Sequence, residues 1–169
     1  MLGSSSTVRV RTGRPADARE LAEVFETSWR YAYVGILPAQ HLDSLIIRRG
    51  KRWWASTIRS GEPVLVLEVG GTIAGYATFG PARRRGRYQG EIYELYLLPA
   101  YQGLGFGELL FESCRYELDQ KRLNGLVVWA LADNHGALDF YWRRGGRPVA
   151  EATDCFGSSS LKKVAYGWR

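Results

Sequence analysis

Cysteine and histidine are scarce in this 169-residue chain, at two residues each. Two cysteines, Cys114 and Cys155, make no disulfide framework and suit a reducing compartment, so a cytoplasmic location is expected. His41 and His135 lie in separate segments without ligand spacing, and no metal site is expected. No apolar run approaches the roughly 18 residues of a membrane span. Residues 1–7 are polar and Ser-rich, lack the apolar core of a signal peptide, and are expected to be a flexible lead. Two familiar nucleotide loops are also missing. A dinucleotide fingerprint needs a third glycine where Glu108 stands, and no Gly-Lys pair is followed by Ser or Thr, which excludes a P-loop.

What is present fits one globular domain over residues 8–169. Hydrophobic residues make up 46% of the chain, with ten Tyr and six Trp, too apolar for a disordered segment. Val8 to Arg11 reads as a strand, and Pro15-Ala16-Asp17 opens a helix with Leu21, Val24 and Phe25 on one face. A second helix is expected from about Ala39 to Ser60. Val64–Val69 and Thr72–Phe79 flank Gly70-Gly71, a two-residue hairpin signal. Then follow a strand over Ile92–Leu98, a helix from Phe106 to Lys121, a strand over Leu126–Leu131 and a helix from Asn134 to Arg144. Strands over Val149–Phe156 and Leu161–Trp168 close the order β-α-α-β-β-β-α-β-α-β-β.

Chemistry is concentrated at Gln102-Gly103-Leu104-Gly105-Phe106-Gly107, between a strand ending in Pro99 and a helix. Alternate glycines permit positive φ, and the loop points free N–H groups and a helix dipole at one spot. That spot suits an anion, above all the diphosphate of a nucleotide-containing cofactor. Further along, Asn134, Ala137, Phe140 and Tyr141 precede Gly145-Gly146 at fixed spacing.

With Q-x-x-G-x-G after a strand and N-x-x-A-x-x-F-Y-x-x-x-G beyond it, the chain resembles the GNAT (GCN5-related N-acetyltransferase) family. The resemblance runs from Val8 to Phe156 and is strongest from Glu91 to Gly146. It implies an α/β fold with a mixed sheet of about seven strands flanked by about four helices. It also implies direct transfer of acetyl from acetyl-CoA to a primary amine in a ternary complex. Gln102, Gly103, Leu104, Gly105, Phe106 and Gly107 would hold the cofactor, with backbone contacts from Leu95, Tyr96 and Leu97 and a pantetheine contact from Asn134. Tyr141 would protonate the departing thiolate, where the plain alternative is a core aromatic. Asn134 would also serve as a helix N-cap.

An amine acceptor with a pKa near 10 must lose a proton before it attacks. Glu91 matches the position of the family's base in its histone-modifying branch, and Glu94 is the fallback. Strand alternation sets Glu91, Tyr93, Leu95 and Leu97 against Ile92, Glu94, Tyr96 and Leu98, so only a bulge would bring both carboxylates to one cleft. Trp129 stands where the ribosomal-protein branch carries a glutamate, which argues against that branch. Trp29, Tyr31 and Tyr33 fall in the stretch that covers the family's acceptor cleft, or else pack at a helix end. Cys114 shares the apolar face of its helix with Leu110 and Leu118 and reads as a buried thiol.

The formal net charge is +6. Its densest run, Arg83-Arg84-Arg85-Gly86-Arg87, has no interleaved aromatics and reads as a charged loop, so nucleic-acid binding is disfavoured. Beside an acceptor entrance those arginines would repel polyamines and attract a carboxylate or phosphate. A non-catalytic acyl-CoA sensor and a basic nucleic-acid module are the rival readings. The last two strands would offer a pairing edge for a homodimer.

Overall fold

The computed structural model describes residues 7–169. The expected lead falls outside these except for Thr7, whose carbonyl accepts from Gly70 N–H at 2.9 Å. The strands are β1 (Val8–Thr12), β2 (Val64–Val69), β3 (Thr72–Pro81), β4 (Gly90–Leu97), β5 (Leu126–Leu131), β6 (Arg147–Phe156) and β7 (Ser159–Trp168). The helices are α1 (Ala18–Tyr33), α2 (Ala39–Arg48), α3 (Lys51–Arg59), α4 (Phe106–Gln120) and α5 (His135–Arg143). The seven strands form one mixed sheet in the order β1-β2-β3-β4-β5-β7-β6, with only β4 and β5 parallel.

Both faces of the sheet are covered, and strand parity divides the core between them. In β2, Val64 and Val66 pack with Leu21, Val24, Phe25 and Trp54 from α1 and α3. Leu65 and Leu67 point the other way, to Leu110, Phe111, Cys114 and Leu118 of α4. The Gly70-Gly71 hairpin has positive φ at both glycines, +58° and +83°, as a tight turn matched to strand twist requires.

The expected helix from Ala39 to Ser60 is two helices. Arg49 leaves helical geometry (ψ 39°) and Gly50 takes an extended backbone (ψ −169°) as the start of α3. Glycine is a poor helix interior and a tolerated N-cap, so the chain turns there. This break makes five α-helices of the expected four, and it turns Arg49 inward.

Candidate active site

β4 and β5 pair for only three positions, Gly90 with Leu126, Glu91 with Val127 and Ile92 with Val128. Beyond them each strand keeps its other neighbour, β4 with β3 as far as Leu97 and β5 with β7 as far as Leu131. The sheet therefore opens into a gap. Along Tyr93 to Leu97 the backbone groups on the edge away from β3 face it without a strand partner.

A bulge sets what faces that gap. Thr78 pairs with Glu94 and Phe79 with Ile92, leaving Tyr93 as an extra residue of β4. The unbroken alternation expected from sequence is thus corrected. Glu91 opposes Gly80 and Glu94 opposes Thr78, two residues apart on β3, so both carboxylates sit on one face. Ile92 joins the α4-side core with Leu95 and Leu97, whereas Tyr96 and Leu98 pack toward α1.

The two carboxylates have different surroundings. Glu91 is 1% exposed, and both its oxygens are engaged by Arg83. Oε1 accepts from Arg83 N–H at 3.0 Å, and Oε2 accepts from the guanidinium at 2.6 and 3.2 Å. It anchors the arginine loop and does not line a cleft. Glu94 does. Its Oε1 accepts from Arg49 Nη2 at 2.9 Å and from Thr78 Oγ1 at 3.3 Å, and its Oε2 accepts from the Tyr76 hydroxyl at 3.0 Å. Of the two carboxylates, Glu94 is the one that lines the cleft.

The cleft in front of Glu94 has a volume of about 620 Å³ and an open mouth. Trp29, Tyr33, Tyr93, Tyr96, Trp129 and Phe156 supply aromatic walls, and Arg49, Arg83 and Lys163 supply cations. Tyr31 is 62% exposed and lies outside it, which corrects its placement with Trp29 and Tyr33. Arg49 had no sequence signal beyond Gly50 beside it. Its guanidinium lies 3.7 Å from the Trp53 ring centroid and 4.3 Å from that of Phe25. Arg84 covers Trp129 at 4.6 Å, and Lys163 lies 5.0 Å from the same ring.

Hydroxyls gather at the gap. Tyr33 and Tyr96 share a hydrogen bond of 2.5 Å, and Trp29 Nε1 donates to the Tyr76 hydroxyl at 3.0 Å. Burial raises the pKa of Tyr33, and lifts those of Tyr76 and Tyr96 well above the ordinary tyrosine value. Tyr141, on the α4–α5 side, is 5% exposed among Phe111, Phe140, Tyr166 and Trp168, and burial raises it too. Asn134 caps α5, its Oδ1 accepting from Ala137 N–H at 3.3 Å. Cys114 is fully buried, which pushes its thiol pKa up and removes the thiolate that a cysteine nucleophile needs.

The glycine loop lies at the start of α4. Gly103 and Gly105 have φ of +76° and +84°, and a Cβ on either would meet nothing within 4 Å. Gly107 differs, because its Cβ would fall 2.8 Å from Phe140 Cε2. It lets α4 sit against α5. Gln102 Nε2 donates to the Leu97 carbonyl at 3.2 Å and ties the loop to β4. The first turn of α4 carries no side-chain cap, so its N–H groups remain available to an anion.

A model of the acetyltransferase (GNAT) family matches residues 21–146. The uncharacterized N-acetyltransferase YuaI of Bacillus subtilis is 33% identical over 162 residues, 95% of this chain and 92% of that protein. The L-amino acid N-acyltransferase MnaT of Escherichia coli is 30% identical over 133 residues, 78% of this chain and 75% of that one. Among solved structures, the PaiA N-acetyltransferase of Thermoplasma acidophilum, in complex with coenzyme A, superposes with a TM-score of 0.72 at 20% identity. That likeness covers 93% of this chain and 98% of the other. YncA of Salmonella typhimurium with acetyl-CoA gives 0.70 at 22% identity, covering 97% and 94%. Sequence and architecture agree: the chain belongs to the GNAT acetyltransferase family and is an N-acetyltransferase.

Proposed function

We propose that this enzyme transfers acetyl from acetyl-CoA to the amino group of a small acceptor that carries a carboxylate, with Glu94 as general base. The donor supplies an activated thioester. The carrying observation is the bulge at Tyr93, which turns Glu94 into the cleft beside the opened sheet. Open space over Gly103 and Gly105, uncapped N–H groups on α4 and unpaired backbone on β4 fit a phosphorylated, amide-bearing arm. Glu94 takes the proton of the attacking amine. Tyr141, kept protonated by burial, gives its proton to the leaving sulfur.

Three observations support an acidic acceptor. Arg49 and Arg83 line the cleft, Arg84 lies on Trp129 at its edge, and the similar MnaT is named for L-amino acids. Arg83 is partly neutralised by Glu91 and Arg49 by Glu94, which leaves Arg84 as the stronger attractor. Free CoA release measured over a panel of amino acids, acidic dipeptides and polyamines tests the reading. Amino acids or acidic peptides should turn over, and replacing Arg83, Arg84 and Arg85 by Ser should lower kcat/KM at low salt more than at high salt. Efficient turnover of spermidine with none of amino acids would refute it.

A further inference from the structure

The hydroxyls of Tyr33 and Tyr96 share one hydrogen bond and contain two hydrogens. Whichever oxygen donates, one hydrogen is left over, and the Asn134 side chain, also within reach of Tyr33, keeps its Oδ1 on Ala137 N–H and so meets the phenol as a donor. Both residues line the cleft, and they approach it from different elements. Tyr96 comes from β4 beyond the last residue paired to β5, and Tyr33 from the end of α1. Each phenol is fixed by packing. Tyr33 sits among Leu37, Leu42 and Leu131, with the Trp29 ring 4.9 Å from its own and 5.1 Å from that of Tyr96. A rigid, desolvated donor aimed at a gap is the arrangement that stabilises charge developing on a substrate oxygen.

We infer that the Tyr33–Tyr96 pair donates its free hydrogen to the thioester carbonyl oxygen and stabilises the negative charge that grows there during transfer. This rests on the reading of the gap as the acetyl-CoA site. As the amine nitrogen bonds to the carbonyl carbon, its proton passes to Glu94. The C–S bond then breaks, the sulfur keeps the electron pair and takes a proton from Tyr141, the acid proposed above, which regains one from solvent as Glu94 releases its own. The two tyrosines keep their hydrogens throughout. Burial raises the pKa of both, which favours a donor that holds its proton over an acid that gives it up. Tyr141 is a separate group: it packs in the α4-side core, near enough to Tyr33 to feel its charge, and forms no part of the hydrogen-bonded pair.

The test uses Tyr33→Phe and Tyr96→Phe, singly and together, in the full-length protein. Each single variant should lower kcat by roughly 10²–10³ while leaving the limbs of the pH–rate profile in place. A single variant leaves the remaining phenol its hydrogen but not the partner that aims it, so the double variant, with neither, should fall furthest. Calorimetry without acceptor supplies a second readout. Wild type should bind acetyl-CoA about two- to tenfold more tightly than the S-ethyl thioether of CoA, which has no carbonyl, and the variants should lose that preference. Should Tyr33→Phe fail to fold, Tyr96→Phe carries the same comparison. Near-wild-type kcat in a folded variant overturns the inference, as does loss of the alkaline limb, which would mark an acid. If wild type itself neither binds acetyl-CoA nor turns over any amine, it is the proposed function that fails.

Discussion

Exchanging Glu94 for Gln removes a charge with almost no change in volume, and the surrounding hydrogen bonds show what should follow. The new amide can keep its carbonyl toward Arg49 Nη2 and Thr78 Oγ1, now 2.9 and 3.3 Å from Oε1. Its NH₂ replaces Oε2, so the Tyr76 hydroxyl must turn its hydrogen away and accept instead. That oxygen already accepts from Trp29 Nε1 at 3.0 Å and has a second lone pair. Arg49 keeps its stacking on Trp53 and Phe25 but loses its counter-charge in a site where its side chain is 13% exposed. A stability loss of about 1–3 kcal/mol is expected, small enough for the protein to remain folded. Turnover should fall by roughly 10²–10⁴, acetyl-CoA affinity should hold, and the drop in rate on acidification that a carboxylate base imposes should disappear. Glu91→Gln is the control. It frees Arg83, already 63% exposed, to water, and kcat should stay near wild type. Free CoA release, thermal melting and calorimetry on the two variants decide the matter. A large kcat loss in Glu91→Gln with normal turnover in Glu94→Gln would refute the assignment.

Three other outcomes are expected. Gly105→Ala carries only the strain of φ +84° in open space, about 1 kcal/mol, whereas Gly105→Asp adds a negative charge at the anion site. Calorimetry should find modestly weakened acetyl-CoA binding in the first and none in the second, with far-UV dichroism unchanged in both. The Arg11 guanidinium, with help from Arg14 N–H, holds the Asp17 carboxyl below its ordinary pKa. Because the folded value lies below the unfolded value of about 3.9, the added stability is complete above that pH and lost as pH falls through the folded value. Melting temperature should therefore drop below about pH 4, and Arg11→Met should shrink that drop. In Gly146→Ala the new Cβ would lie 2.4 Å from Trp168 Cζ2, on a ring whose Nε1 is held by the Arg144 carbonyl at 2.9 Å. Overpacking there should cost about 1–3 kcal/mol, with Tm falling roughly 2–4 °C for each.

Residues with local meaning were readable from the chain. Gly70-Gly71 encodes its own turn, the glycines before α4 encode theirs, apolar periodicity marks α1 and α4, and a continuous apolar run marks β5. Asn134 was legible as a cap because its partner is three residues away. What stayed hidden depends on contacts distant in sequence. The bulge at Tyr93 exists because of how β4 registers against β3, which nothing in the stretch Glu91 to Leu98 declares. Arg49 looked like one more charge on a long helix until Gly50 broke it and set the guanidinium beside Glu94, 45 residues onward. Tyr31 and Tyr33 read alike in sequence, yet only Tyr33 faces inward, because successive odd positions on a helix diverge by about 200°.

The parting of β4 from β5 also bears on how the molecule holds together. Three register pairs join a half-sheet of four strands to one of three, whereas β3 and β4 are joined by seven. An amide-bearing arm laid in the gap would act as a partial extra strand, clasping the two halves and taking up hydrogen bonds that water otherwise supplies. Binding of this sort raises folding stability by about 2.7 kcal/mol at a hundredfold excess over Kd. Backbone amides from Tyr93 to Leu97 would then exchange with solvent more slowly, and the weakest joint in the sheet would become one of its firmer ones. A chain assembled on this plan endures longest when its acyl donor is abundant.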